Sequence, residues 1–136
     1  MRKENPLISV ILSVFNSELT IDRCIKSILN QSFKDLEFII VNDCSIDNSL
    51  NIINYYQSID KRIKVINNSE NIGLTKSLIK AINKSNGKFI ARIDADEYSK
   101  PSRLKKQQIF MEEENLILSG SQCINIYEKE KKITQW

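Results

Sequence analysis

Short apolar runs alternate along the chain with stretches of amphipathic spacing. Leu7 to Val14 is nearly continuous in apolar residues, the pattern of a strand buried on both faces, and Asn16-Ser17-Glu18 breaks it. Ile21, Ile25, Ile28 and Leu29 then recur at helical spacing. Leu36 to Val41 reads as a second strand, ended by Asn42-Asp43-Cys44-Ser45. Asp47 or Asn48 caps the next helix, whose apolar positions include Leu50, Ile53 and Tyr56. Ile63 to Ile66 is a short third strand, and Asn67 to Asn71 has loop composition. Gly73 precedes a helix with Leu74, Leu78, Ile79 and Ile82 on one side. Asn86-Gly87 stops that helix, Gly87 being suited to a left-handed position. Lys88 to Ile93 is the fourth strand. Pro101 opens a polar helix running to about Glu114. Leu116 to Leu118 and Gln122 to Tyr127 read as two more strands, and Glu128 to Trp136 as a charged, turn-like tail.

Strand and helix alternate three times, followed by strand, helix, strand, strand. That order predicts an α/β fold with a mostly parallel central sheet and helices on both faces. The 136 residues suit one domain with a real core. No repeat, low-complexity segment or linker divides them.

Composition removes several function classes. The net charge of +3 is small, and no basic run is interleaved with aromatics, so nucleic acid is not an expected partner. Histidine is absent, which excludes imidazole catalysis and histidine-ligated metals. Cys24, Cys44 and Cys123 form no CxxC pair. This argues against a zinc site or disulfide framework and for a reducing compartment, with each cysteine a small buried or half-buried residue. Met1 to Pro6 followed by Leu7 to Phe15 looks superficially like a signal peptide. Its apolar run is short, contains Ser9 and Ser13, and lacks a small-x-small cleavage site, so a first strand is expected there. Nothing approaches the ~20 apolar residues of a membrane span, and a cytoplasmic location is expected.

The candidate chemistry gathers at the carboxyl ends of the strands, the rim where open α/β sheets bind ligands. Asp94-Ala95-Asp96 closes the fourth strand. On an extended backbone two carboxylates spaced by two point the same way, and like charges held together call for a neutraliser. Mg²⁺ or Mn²⁺, with a diphosphate to complete its shell, is one reading; a solvated turn is the other. Ser13 and Asn16 near the end of the first strand, and Asn42 to Ser45 after the second, face the same cleft. Ser13 reads equally as a core hydroxyl, Asp43 and Ser45 as turn caps, and Gly73 chiefly as a hinge. Arg92 pairs either with phosphate or with a neighbouring carboxylate. The chain has neither a G-x-x-x-x-G-K-[ST] loop nor a G-x-G-x-x-G turn, and only three glycines. Phosphates would therefore need a cation rather than a glycine cradle.

Two segments, "LISVILSVFNSELTIDRCIKSILNQSFKDLEFIIVNDCSIDNS" and "NIGLTKSLIKAINKSNGKFIARIDADEYSKPSRLKKQ", resemble the family 2 glycosyltransferases over roughly residues 6 to 120. The resemblance implies a Rossmann-like GT-A fold in which residues 1–136 form one donor-binding domain that ends before an acceptor-binding half. It implies a nucleotide-sugar donor, commonly a UDP-sugar. Ser13 falls where the family contacts the nucleoside, and Asp43 on the aspartate that accepts the N3–H of uracil. Asp96 falls on the principal Mg²⁺ or Mn²⁺ ligand, with Asp94 its partner near the sugar and ribose. The family often has glycine where Cys44 stands, a departure expected to cost little if the backbone is not left-handed there. Asn42 and Glu97 replace frequent aspartates.

The implied reaction is an inverting, metal-dependent transfer to a saccharide or lipid-linked acceptor in cell-surface polysaccharide synthesis. Association with the inner face of the plasma membrane would follow. The family's general base is an aspartate of the acceptor-binding half, and no aspartate follows Asp96 here, so this chain alone is expected to bind donor and transfer poorly. A non-catalytic nucleotide-binding module remains the alternative, as does an Asp-x-Asp phosphohydrolase, whose pair would follow the first strand instead. High Ile, Asn and Lys usage hints at an AT-rich bacterial genome.

Overall fold

A computed structural model describes residues 5–120, 124–127 and 132–135. The elements are β1 (Ile8–Val14), α1 (Ile21–Leu29), β2 (Leu36–Asn42), α2 (Ser49–Ile59) and β3 (Ile63–Asn67). They continue with α3 (Leu74–Asn83), β4 (Phe89–Arg92), α4 (Arg103–Glu113), β5 (Ile124–Tyr127) and β6 (Lys132–Gln135). The described residues divide into two compact units, one ending at Lys105 and one beginning at Lys106.

The first unit holds a four-stranded, all-parallel sheet in the order β3-β2-β1-β4. The α/β fold with helices on both faces expected from the alternation is what forms. β1 and β2 pair from Ile8 with Leu36 to Val14 with Asn42. Alternate residues point to opposite faces, so Val10, Leu12, Phe38 and Ile40 pack with Ile21, Ile25, Ile28 and Ile53 of α1 and α2, and with Leu104. On the other face Ile11, Ile39 and Val41 meet Leu78 and Ala81 of α3.

That helix is turned differently from the expectation. Leu74, Ile79 and Ile82 are 49%, 50% and 44% exposed, while Ser77 and Ala81 lie buried on the sheet. The small side chains let the helix settle on β1 and β2, and the larger ones line its flank.

Gly87 also does another job than the one expected. Its φ is not positive. A Cβ there would sit 2.5 Å from the Ser9 backbone nitrogen and 2.7 Å from Ser9 Oγ, so the glycine is required by close approach to β1.

In the second unit, α4 ends in a left-handed stop. Asn115 has φ 51°, and the Leu116 N–H donates back to the Met111 carbonyl at 2.9 Å. This is the hydrogen-bond pattern of a Schellman cap. Leu116 is thereby used in ending the helix, and Leu116 to Leu118 is not the strand expected. Conversely, the tail contains β6, which pairs antiparallel with β5 from Lys132–Tyr127 to Gln135–Ile124. β-branched Ile133 and Thr134 favour extended backbone, which the charge count of the tail obscured. Met1 to Glu4, Ser121 to Cys123, Glu128 to Lys131 and Trp136 lie outside the described residues. Among those described, no helix is long and apolar enough to cross a membrane.

One carboxylate is buried within the sheet. Glu37, on the α3 face of β2, accepts hydrogen bonds from Ser9 Oγ (2.6 Å), the Asn86 N–H (2.6 Å) and the Lys64 ammonium. Burial alone would raise its pKa. The bonds from Lys64, Ser9 and Asn86 outweigh burial and hold it below the usual glutamate value. The network ties β1, β2, β3 and the α3–β4 turn together through one side chain. A depressed folded-state pKa contributes stability above the unfolded pKa, and that contribution fades as pH falls through the folded value. Glu37→Gln is therefore expected to destabilise the fold by about 1–3 kcal/mol at pH 7. In chemical denaturation, the gap from wild type should narrow as pH falls below 4.5.

Candidate functional site

The chain builds β1, β2 and β3 outward in one direction, then returns to lay β4 on the opposite flank of β1. At such a reversal the connections leaving adjacent strands diverge, and a crevice opens beyond their carboxyl ends. A cleft of about 470 Å³ lies there, within the size range of small-molecule sites. Ser13, Asp43, Asp94 and Asp96, the four residues singled out from sequence, all line it.

Ser13 lies on the α3 face of β1, and Asp43 follows directly after β2. Asp43 is buried, yet its carboxylate is well supplied with donors. Oδ1 accepts from Asn68 Nδ2 (2.8 Å) and the Ile72 N–H (2.9 Å), and Oδ2 from the Gly73 N–H (2.8 Å). Burial pushes its pKa up, but the bonds from Ile72, Asn68 and Gly73 prevail and keep it below the ordinary aspartate value. Asp43 is thus an ionised anchor for the loop before α3, with the Ser77 hydroxyl adding to the donors that keep it charged. Gly73 contributes both its N–H and a backbone with φ 85° and ψ 164°, a region open essentially to glycine alone.

Asp94 and Asp96 reach the cleft by a route other than strand alternation. β4 ends at Arg92, and the Glu97 N–H donates to the Asp94 carbonyl at 3.0 Å, closing a turn. The partner of Asp94 at two-residue spacing is instead Arg92, whose Nη2 lies 2.8 Å and 2.9 Å from its two carboxylate oxygens. Arg92 thus takes the neighbouring carboxylate. Asp96 is exposed. Its carbonyl accepts from Arg23 Nη2 (3.1 Å), and no side chain among the described residues pairs with its carboxylate.

Asn16 and Ser45 are occupied in joining loops. The Asn16 N–H donates to Ser45 Oγ (3.1 Å), and the Ile46 N–H to Asn16 Oδ1 (2.9 Å). Beside them the Ser17 N–H donates to Ser49 Oγ (2.8 Å), the Glu18 N–H to Asp47 Oδ2 (3.0 Å), and the Asn48 N–H to Glu18 Oε2 (2.9 Å). These bonds brace the β1–α1 and β2–α2 loops into one wall. Sequence reasoning missed Phe15, Ser17, Asn71, Leu74 and Ala95 in the lining. Phe15 carried a signal, an aromatic residue continuing past the end of a buried strand, and it is 48% exposed.

The fold is an α/β domain with an acidic cleft at the topological switch point. Its likeness to known proteins is extensive. Residues 9–135 match the model of Glycosyl transferase family 2. An uncharacterised glycosyltransferase of Haemophilus influenzae is 41% identical over 92% of this chain, and chondroitin synthase of Pasteurella multocida is 33% identical over 74% of it. The chain spans 39% and 10% of the lengths of these two relatives. Among solved structures, S. aureus TarS 1–349 superposes with a TM-score of 0.73 in complex with UDP and 0.74 in complex with UDP-GlcNAc. In both cases it is 31% identical over 79% of this chain and 32% of its own. The chain belongs to glycosyl transferase family 2 and carries the GT-A fold.

Cys44, beside Asp43, has φ 62°. The backbone is left-handed where the resemblance had a glycine, so the departure carries a cost: a β-carbon in that region is worth roughly 1–2 kcal/mol of strain. Glycine's greater freedom in the unfolded chain offsets part of the relief. Cys44→Gly is expected to stabilise the protein by about 0.5–1 kcal/mol, seen as a raised midpoint in thermal melting. An unchanged or lowered midpoint would show that the Cys44 side chain offsets its own strain.

Proposed function

We propose that this chain is the donor-binding part of a glycosyltransferase, taking a nucleoside diphosphate sugar, most simply a UDP-sugar, in the cleft at the switch point. The observation that carries this reading is the convergence of Ser13, Asp43, Asp94 and Asp96 from three strand ends on one cavity. Asp43 is held ionised and lines the cleft, which suits the N3–H of uracil. Ser13 offers a hydroxyl to the nucleoside, and Asp94 lies toward the ribose and sugar. The TarS complexes with UDP and UDP-GlcNAc support a uridine nucleotide donor. Chondroitin synthase among the relatives supports work on polysaccharide. A saccharide or lipid-linked acceptor at the inner membrane face fits the same role.

The residues present fit Mg²⁺ or Mn²⁺. Mg²⁺ in phosphate sites is held by one or two carboxylates, with phosphate and water completing the shell. No group of three or more Cys, Asp or Glu gathers into a cage among the described residues, while the Asp96 carboxylate stands exposed and free of side-chain partners at the cleft. Asp96 would hold the ion, with Asp94 beside it. When bound, the cation offsets negative charge growing on the departing diphosphate. The chain's own part is to orient: Asp43 and Ser13 fix the nucleoside, and the Asp94–Glu97 turn fixes the diphosphate end. The anomeric carbon is then left toward an incoming acceptor hydroxyl.

Calorimetric titration of UDP, GDP and CDP with and without Mn²⁺ tests this. UDP should bind best, with Mn²⁺ strengthening it, and Asp96→Ala should abolish the Mn²⁺ dependence. UDP at a hundredfold excess over its Kd should also stabilise the fold by about 2.7 kcal/mol. Binding that ignores both Mn²⁺ and Asp96→Ala would remove the metal from the proposal, and absence of nucleotide binding would end it.

A further inference from the structure

The two carboxylates of the Asp94-Ala95-Asp96 turn are not equivalent. Arg92 closes β4 with Asp94 two residues on, and the guanidinium engages both carboxylate oxygens. Nε lies 3.1 Å from Oδ1, and Nη2 lies 2.8 Å from Oδ1 and 2.9 Å from Oδ2. A planar fork against a carboxylate is the strongest geometry such a pair adopts. Asp96 has its backbone held by Arg23, and its carboxylate is unpaired among the described residues. Taken together, Arg92, Asp94 and Asp96 present one net negative charge to the cleft, where the two aspartates alone would present two. An exposed single carboxylate is a weak ligand for a strongly hydrated divalent ion.

We infer that Arg92 is a positioning residue that makes cation binding conditional on the nucleotide. By occupying Asp94 it keeps the bare cleft a poor cation site. A nucleoside diphosphate then brings the anionic oxygens that the protein withholds, so ion and nucleotide bind as a pair. The coupling is reciprocal: whatever factor nucleotide adds to cation affinity, cation adds to nucleotide affinity. This inference rests on the donor-binding reading above.

Mn²⁺ affinity of the full chain, measured by electron paramagnetic resonance with and without UDP, tests it. Wild type should bind Mn²⁺ weakly alone and much more tightly with UDP. Arg92→Gln should tighten binding of Mn²⁺ alone by roughly threefold to tenfold, from the unit of negative charge released, and reduce the coupling to UDP by a similar factor. Arg92→Lys keeps the charge but not the fork, and should fall between wild type and Arg92→Gln. Adding Asp94→Asn to Arg92→Gln should erase the gain. Because the Arg92–Asp94 pair is half exposed, the variants should melt close to wild type. If wild type couples Mn²⁺ to UDP but Arg92→Gln leaves the affinity for Mn²⁺ alone unchanged or weaker, the role of Arg92 is overturned and the donor site stands. If UDP binds wild type without any dependence on Mn²⁺, the role of Arg92 falls and the donor site stands without its metal; if UDP does not bind at all, both fall together.

Discussion

Two adjoining strands with no wet face set the terms for the rest of this fold. β2 is buried at every residue, and β1 at every residue but Ser13. Strands in that position need a helical layer on each side, and a single chain supplies two layers only by crossing the sheet in both senses. α1 and α2 cover one face while the chain moves outward through β2 and β3, and α3 covers the other on the way back to β4. The reversal leaves the connections after β1 and β4 diverging. The cavity where Asp94 and Asp96 meet Ser13 and Asp43 is thus produced by the same requirement that buries the core.

The cleft treats its three aspartates in three ways. Asp43 is satisfied by neutral donors, chiefly backbone N–H groups, and so remains charged while buried. Asp94 is answered by a guanidinium, and Asp96 by no side chain among the described residues. A gradient of this sort places the firmest anion deepest and the most available one at the mouth, an order that matches a ligand with an uncharged base at one end and phosphates at the other. Electrostatic organisation of a site by fixed dipoles and paired charges needs no rearrangement when the ligand arrives.

Much of this was readable in the residues. The apolar runs located all four parallel strands to within a residue or two at most ends: β1 and β2 because burial on both faces leaves an unbroken apolar run, β3 and β4 because turn residues bound them. The polar residues at their carboxyl ends pointed to one cleft because strand ends in an open parallel sheet share a rim. What escaped depended on neighbours distant in sequence. Nothing local to Gly87 announces Ser9 lying against it, and nothing in Leu74, Ile79 and Ile82 says that Ser77 and Ala81 will take the sheet. Asp94 and Asp96 do line one cleft, but by a turn; the alternation rule instead paired Asp94 with Arg92, the basic residue two positions earlier. At Leu116 a helix stop outweighed strand propensity, and in the tail a hairpin partner outweighed charge.

The braced loops after β1 and β2 give the cleft unequal stiffness. One side can shift only by giving up five cross-loop hydrogen bonds together. The Asp94–Glu97 side is steadied by bonds within its own turn and by single contacts from Arg23 and Cys24 of α1, which can give way one at a time. A bound molecule therefore lies between a fixed jaw and a compliant one. Whatever part rests on the fixed jaw is held to a narrow shape, whereas the part facing the turn can vary in size and stereochemistry without disturbing the other end. The same mechanical contrast lets substitutions around the turn accumulate without loosening the wall opposite.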